Sequence, residues 1–376
     1  MNQILEVNRV TIGETRLVDV DDAELTDGQV RLDIDLFAVT ANNVTYAVFG
    51  DMLGYWNFFP GGDEADTWGR VPAMGWATIV ESRNPDLEVG TRYYGWYPMA
   101  RSVVFTASAT RDGFRDDGEH RTDHAPVYRS YVATGNDPAH DDAPDGEQRH
   151  ALLRGLFLTG FLADESFADA VGSGAAPYFG AAQTVVVSAS SKTAIAYAQR
   201  ASLRPDLRVI GLTSEGNVEF VESLGYYDTV LTYNPRAGGG VAAIPDDVDT
   251  VSIDMAGNPV VLHAIHHHLG DRLKYSMTVG RSHHDAPPPE SAGELPGPTP
   301  TLFFAPTAAS RGAVQWGSEG YAQRSAEALT AFVDESRSWM SIDHRTGSSG
   351  VESAWRDVYG AAVSPSVGVV ASFDGA

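Results

Sequence analysis

The clearest pattern of apolar and polar positions runs from Thr184 to Tyr233. Thr184-Val185-Val186-Val187-Ser188 is a β-branched run without polar alternation, which predicts a parallel strand buried on both faces. The small residues Ala189-Ser190-Ser191-Lys192-Thr193 turn directly into 194–201, a stretch of strong helix formers. A second strand is predicted over 208–212, a helix over 218–224 stopped by Gly225, and a third strand over 229–233. Strand, small-residue turn, helix, strand, helix, strand is half of a doubly wound nucleotide-binding sheet.

The N-terminal third reads differently. Segments 5–7, 15–20 and 29–36 alternate with turn residues between them, and 71–82 and 90–100 predict further strands. An aromatic loop, Gly54-Tyr55-Trp56-Asn57-Phe58-Phe59-Pro60, lies among them. Residues 107–149, acidic and rich in Asp, Gly and His with one apolar island at 125–128, read as a long surface excursion. An apolar-periodic helix is predicted over 152–171. Beyond Tyr233 the pattern predicts a strand over 250–254, a helix over 259–269 and a strand over 273–280. A proline-rich loop (287–300), helices over 320–340 and 351–359, and a last strand over 367–372 complete the chain.

Composition narrows the chemistry. Net charge is −24, which disfavours nucleic acid or an anionic membrane as partner. The absence of cysteine excludes disulfides, iron–sulfur clusters, thiol catalysis and cysteine-ligated zinc. No basic-then-apolar leader opens the chain and no apolar run reaches the ~20 residues of a membrane span, so a cytoplasmic protein is expected. His263, His266, His267 and His268, with His283 and His284, invite a metal reading; no carboxylate completes an H-E-x-x-H pattern, and a solvated helix face is the expectation, with no metal.

The turn after the first buried strand lacks a G-x-G-x-x-G fingerprint, and a Walker A loop would need glycines where Val186 and Ser191 stand. Small side chains still let a backbone approach a pyrophosphate at a helix N-terminus, where the dipole favours an anion. Ser188, Ser190, Ser191, Lys192 and Thr193 are therefore candidate cofactor contacts, Lys192 being one of only two lysines in the chain. An ordinary strand-to-helix connection with an exposed lysine remains the alternative. The second strand ends in Thr213-Ser214 rather than the acidic residue that holds the ribose hydroxyls of NAD, which leaves room for a 2′-phosphate and favours NADPH.

The order strand, A-x-x-x-N, Pro-x-x-Gly-strand, then Gly90-Thr91-Arg92-Tyr93-Tyr94-Gly95 resembles the N-terminal barrel of the medium-chain dehydrogenase/reductase superfamily. It is most similar to the zinc-free quinone-oxidoreductase and enoyl-reductase branch. The wording Thr40-Ala41-Asn42-Asn43-Val44-Thr45-Tyr46 with Gly54-Tyr55-Trp56 is close to a bacterial family of unknown function. The resemblance implies an α/β fold: a Rossmann-like doubly wound parallel sheet over 151–300, and a GroES-like β-barrel catalytic domain from 1–150 and 301–376. It implies that Tyr233 flanks the 2′-phosphate, and that loops carrying Met255 and Gly280 line the cofactor. Asn217 stands where many relatives place a lysine, and Thr45 where relatives place an aspartate.

For proton delivery the resemblance points to Tyr46 and Tyr55 as polar cleft residues and to Asn42 as the cleft asparagine. A tyrosine donor would serve an enolate or alkoxide left by hydride transfer. Tyr55 is preferred because its glycine-flanked loop is suited to closing over a nicotinamide; a purely hydrophobic lid is the alternative, and His283 or His284 a further donor. The expected function is a zinc-independent, NADPH-dependent reductase of a small carbonyl or activated alkene, acting as a homodimer paired through the strand at 273–280. A cofactor-fold protein with a binding, regulatory, lyase or hydrolase role is the competing expectation.

Overall fold

The computed structural model describes residues 1–169, 175–234, 239–279 and 295–374. These fall into two compact units, residues 1–155 with 333–376 and residues 156–332. The first unit contains β1 (Asn2–Asn8), β2 (Thr15–Val20), β3 (Gln29–Val39), α1 (Ala41–Val48), β4 (Trp68–Gly69) and β5 (Pro72–Ser82). It continues with β6 (Arg92–Pro98), β7 (Ser102–Ala109), β8 (Gly113–Asp116), α2 (Pro126–Arg129) and β9 (Ser130–Ala133). Strands β3-β5-β6-β9-β8-β7 run in that order, and β7 pairs back onto β3, closing a six-stranded antiparallel barrel.

The barrel follows from alternation. Val30, Leu32 and Ile34 are buried while Asp33 and Asp35 point outward. Two register shifts between β3 and β5 supply the local bending a closing sheet needs.

The surface excursion expected at 107–149 is instead part of the barrel. The end of β7 and all of β8 and β9 lie within it, and Phe114, Asp116, Arg121 and Tyr131 are buried. Phe114 stacks on Tyr131 at 4.4 Å, and Phe105 packs on Tyr131 at 4.7 Å. Each short strand contributes one ring among Asp and Gly, so no single run accumulates an alternating signal.

Helix α3 (Gly146–Asp169) begins six residues before the predicted start and leads from the first unit into the second. The second unit then alternates: β10 (Gln183–Val187), α4 (Lys192–Ser202), β11 (Arg208–Thr213), α5 (Val218–Ser223) and β12 (Thr229–Thr232). After them come β13 (Thr250–Asp254), α6 (Pro259–Leu269), β14 (Leu273–Thr278) and β15 (Thr301–Leu302). The parallel sheet runs β12-β11-β10-β13-β14-β15, the 3-2-1-4-5-6 order of the dinucleotide folds. Order reverses between β10 and β13, so the crevice for a ligand opens beyond Val187 and Asp254, which pair in register.

Strand β14 is not the outermost one. Met277 and Thr278 pair with Thr301 and Leu302 of β15, and this extra strand carries the second unit on to Phe332. The long helix α7 (Ala305–Trp339) starts well before residue 320 and breaks at Gly317, whose φ is +73°. Strand β16 (Ser341–Thr346), unforeseen in the sequence, α8 (Gly347–Tyr359) and β17 (Val367–Ser372) return the chain to β3 of the barrel.

Candidate functional site

Two constellations emerge, one in each unit. In the second unit the turn after β10 places Ser188 at φ +64°, a left-handed conformation that glycine adopts freely and serine does not. Its N–H donates to the Tyr233 hydroxyl at 2.9 Å, and the Tyr227 hydroxyl donates to the Ala189 carbonyl at 2.9 Å. The Ser191 hydroxyl caps α4 by accepting the Ala194 N–H at 3.4 Å. Lys192 opens α4 and is half-buried, and desolvation pushes its ammonium down to about 8.

At the end of β11 the Thr213 hydroxyl donates to Ser190 Oγ at 3.4 Å, and Asn217 Nδ2 donates to the same atom at 3.0 Å. Ser214 is exposed beside them, and Thr193 is half-buried in the first turn of α4. Burial raises the Tyr233 phenol to about 12, so it stays neutral. Met255, buried after β13, donates its N–H to the Val187 carbonyl at 3.4 Å. The structure thus gathers Ser188, Ser190, Ser191, Lys192, Thr193, Thr213, Ser214, Tyr233 and Met255 around the reversal point. Gly280, His283 and His284 lie outside the described residues.

The missing glycines have moved. A Cβ on Gly160 of α3 would sit 2.6 Å from the Tyr197 nitrogen of α4, and one on Gly211 of β11 would sit 2.8 Å from the Tyr227 ring. In this chain Gly211 faces the turn, with Ala189 Cβ 3.0 Å from where its own Cβ would stand, and Gly160 lets α3 close on α4, the packing that a fingerprint glycine supplies from within the turn.

Asp254 is the titratable residue that sequence reasoning passed over. It is 2% exposed, and its Oδ1 accepts the Ala256 and Gly257 N–H groups at 2.7 and 3.1 Å. Burial nevertheless raises the carboxyl from 3.8 to about 6. A raised acid stabilises the fold where it is protonated, and that contribution is lost as pH climbs through the folded pKa. Asp254→Asn keeps an acceptor for both N–H groups. Urea titrations at stepped pH should show it gaining on wild type by up to ~3 kcal/mol between pH 4 and pH 7. A pH-independent difference would refute this.

In the first unit, Thr40 caps α1. Its N–H and hydroxyl both meet Asn43 Oδ1, at 2.7 and 3.1 Å, while Asn43 Nδ2 donates to the Pro72 carbonyl at 2.8 Å. Asn43 is therefore structural, and Thr45 turns its hydroxyl back to the Ala41 carbonyl at 3.2 Å. One turn apart on α1, Asn42 faces the Tyr46 hydroxyl and favours its anion, yet burial holds that phenol well above the usual tyrosine range. The rings of Tyr46 and Tyr55 lie 4.6 Å apart.

Tyr128, on the apolar island of the supposed excursion, joins this pair. Its ring is 6.1 Å from Tyr55, 5.1 Å from Phe58 and 5.4 Å from Trp96. Burial also raises the Tyr55 and Tyr128 phenols, so all three are protonated acids at neutral pH.

The aromatic loop is no free lid: Tyr55, Trp56, Phe58 and Phe59 are all buried. Arg121, with 0% exposure, donates Nη1 to the Phe58 carbonyl at 3.0 Å and Nη2 to the Tyr128 carbonyl. Its guanidinium lies 4.3 Å from the Phe58 ring centre and pairs with buried Asp116 at 3.3 Å. His124 Nε2 meets the Gly54 carbonyl at 3.1 Å.

Among the described residues, no group of three or more His, Asp or Glu is placed to hold a metal, and no helix is long and apolar enough to cross a membrane.

A family model described as "Protein of unknown function (DUF2855)" matches residues 37–364. No curated protein matches the sequence. Among solved structures, the chain is similar to CurA from Vibrio vulnificus in complex with NADPH, at 12% identity and a TM-score of 0.60 over 100% of both chains. It is similar to the CurK enoyl reductase at 13% identity and a TM-score of 0.55, over 99% of each chain. The Etr1p/NADP/crotonyl-CoA complex is similar at 12% identity and a TM-score of 0.56, again over 99% of each. These likenesses show the fold over the whole length: a Rossmann unit and a GroES-like barrel.

Proposed function

The chain belongs to the DUF2855 family, and we propose that it is an NADPH-dependent reductase of a small carbonyl or activated alkene, working without zinc. The observation that carries this reading is the end of β11 at a 3-2-1-4-5-6 crevice, where Thr213 and Ser214 stand in the place of an acid and the next carboxylate, Glu215, accepts the Asn234 side-chain amide at 2.7 Å. Thr213, Ser190 and Asn217 form a neutral hydroxyl and amide cluster there, with Lys192 opening the adjacent helix. Such a surface tolerates a 2′-phosphate that an aspartate would repel. CurA with NADPH and Etr1p with NADP share the fold and add weight to the same cofactor. NADPH, once bound, supplies the hydride. The chain's own part is to seat the phosphates on the Ser188–Thr193 turn and to hold a proton on the phenols of Tyr46 and Tyr55.

Lys192 is assigned to a cofactor phosphate. A half-buried ammonium at a helix N-terminus is opposed by both desolvation and the dipole, and a phosphate relieves both. Nicotinamide fluorescence should show saturable NADPH binding, weakened at least tenfold, about 1.4 kcal/mol, in Lys192→Ala. Unchanged affinity in the variant removes the phosphate role; no binding by wild type removes the reductase.

A second reading has its own support. The turn's Ser188 N–H and Ala189 carbonyl are already engaged by Tyr233 and Tyr227. A fold retained for binding or regulation, or for lyase or hydrolase chemistry, is consistent with that self-satisfaction, and the same titration separates the two.

The reading includes a cytoplasmic homodimer, paired through the stretch of β14 before Met277, which has no β15 partner among the described residues; the net charge of −24 opposes the approach, and screening over about 8 Å at physiological salt limits that repulsion. Light scattering at micromolar concentration should give twice the chain mass of 40.3 kDa. The monomer mass would refute pairing.

A further inference from the structure

We propose that His263 and His267 form a two-imidazole chelate for a borderline transition-metal ion, Cu²⁺ above all, on the solvent face of α6. The helix is firmly placed. Asn258 caps it by accepting the Val260 and Val261 N–H groups, Pro259 opens it, and Gly270 at φ +49° ends it. Ile265 and Leu269 belong to the core of the parallel sheet, which turns the opposite side of α6 outward. His266 is used internally, with Nδ1 on the Pro296 carbonyl at 2.8 Å and Nε2 on Ser276 Oγ at 2.9 Å. His268 Nε2 meets the Ile244 carbonyl at 2.8 Å.

His263 and His267 are one turn apart on the outward face, half-buried and exposed, with ring centres 4.0 Å apart. Two imidazoles sharing one ion at about 2.0–2.1 Å hold their ring centres on the order of 4.5–5 Å apart. Side-chain torsions therefore need to open the pair by less than the width of one atom. Imidazole suits copper, nickel and zinc, and copper heads the affinity order for such a pair. Two protein ligands leave the other positions to water, so the ion exchanges readily. The net charge of −24 raises the local cation concentration at low salt. The site lies on an outer helix, apart from the reversal-point crevice, and does not depend on the reductase reading.

Isothermal titration of the full chain with CuCl₂ should show one saturable site. Electron paramagnetic resonance should show nitrogen ligation, and the melting temperature should rise with free Cu²⁺. His263→Ala and His267→Gln, both helix-compatible, should each weaken binding at least about tenfold, since one imidazole no longer benefits from its tethered neighbour. Circular dichroism verifies that each variant folds. Failure to saturate at one ion per chain, or wild-type affinity in either variant, overturns the site.

Discussion

Tyr55→Phe is expected to lower turnover about 10²- to 10⁴-fold while leaving NADPH affinity nearly unchanged. The substitution keeps the ring that packs on Tyr46 at 4.6 Å and on Phe58 at 5.7 Å, and removes only the hydroxyl. Burial lifts the phenol above its ordinary range, so it rests as a neutral acid, the form needed to protonate an enolate or alkoxide. Tyr128 is half-buried with its ring 6.1 Å from that of Tyr55, and if Tyr55 is the donor, Tyr128 is the phenol placed to return the proton. Tyr128→Phe should cost less than Tyr55→Phe and chiefly in turnover. Tyr46→Phe discriminates further: if Tyr46 is the donor, the large loss moves to that variant, with Asn42 as its supporting contact. Steady-state kinetics with an activated alkene measure all three. Full turnover in both Tyr46→Phe and Tyr55→Phe would remove the phenols from the mechanism.

Regular elements were legible where periodicity accumulates. The predicted helix at 259–269 coincides with α6 and the last strand with β17, because each carries its own start and stop signals. The βαβ order around Thr184 likewise needed only buried β-branched runs and helix formers. The barrel strands β8 and β9 were illegible because each is four residues long and draws its stability from rings on other strands. For the candidate site the difficulty was similar. A fingerprint search looks within the turn, whereas Gly211, which faces Ala189 of the turn, and Gly160, which admits α4, lie elsewhere in the sequence. Arg121 carried no local signal and Tyr128 only its place in the apolar island at 125–128, since their significance comes from the carbonyls and rings the fold brings to them.

Arg121→Ala should destabilise the first unit by about 3–5 kcal/mol, the usual cost of stranding one member of a buried ion pair. Arg121 and Asp116 are 0% and 1% exposed, so solvent does not screen what remains. Loss of the guanidinium leaves the carbonyls of Phe58 and Tyr128 without their donor, at about 1–3 kcal/mol each if water does not enter. Asp116 keeps the Gly118 N–H at 2.9 Å, and burial already raises its carboxyl; without Arg121 it rises further. A raised acid stabilises the fold on the acidic side, so the deficit of Arg121→Ala should shrink as pH falls and widen as it rises. Pairing the change with Asp116→Asn should recover the pH-dependent part and leave the carbonyl part, which separates charge from hydrogen bonding. The loop carrying Tyr55 is fastened by these contacts, so turnover of Arg121→Ala should fall even at temperatures where the chain remains folded. Urea denaturation at two pH values decides the matter. A loss below about 1 kcal/mol with no pH dependence would mean that the aromatic packing alone holds the loop, and that Arg121 serves only as a spacer beneath Phe58.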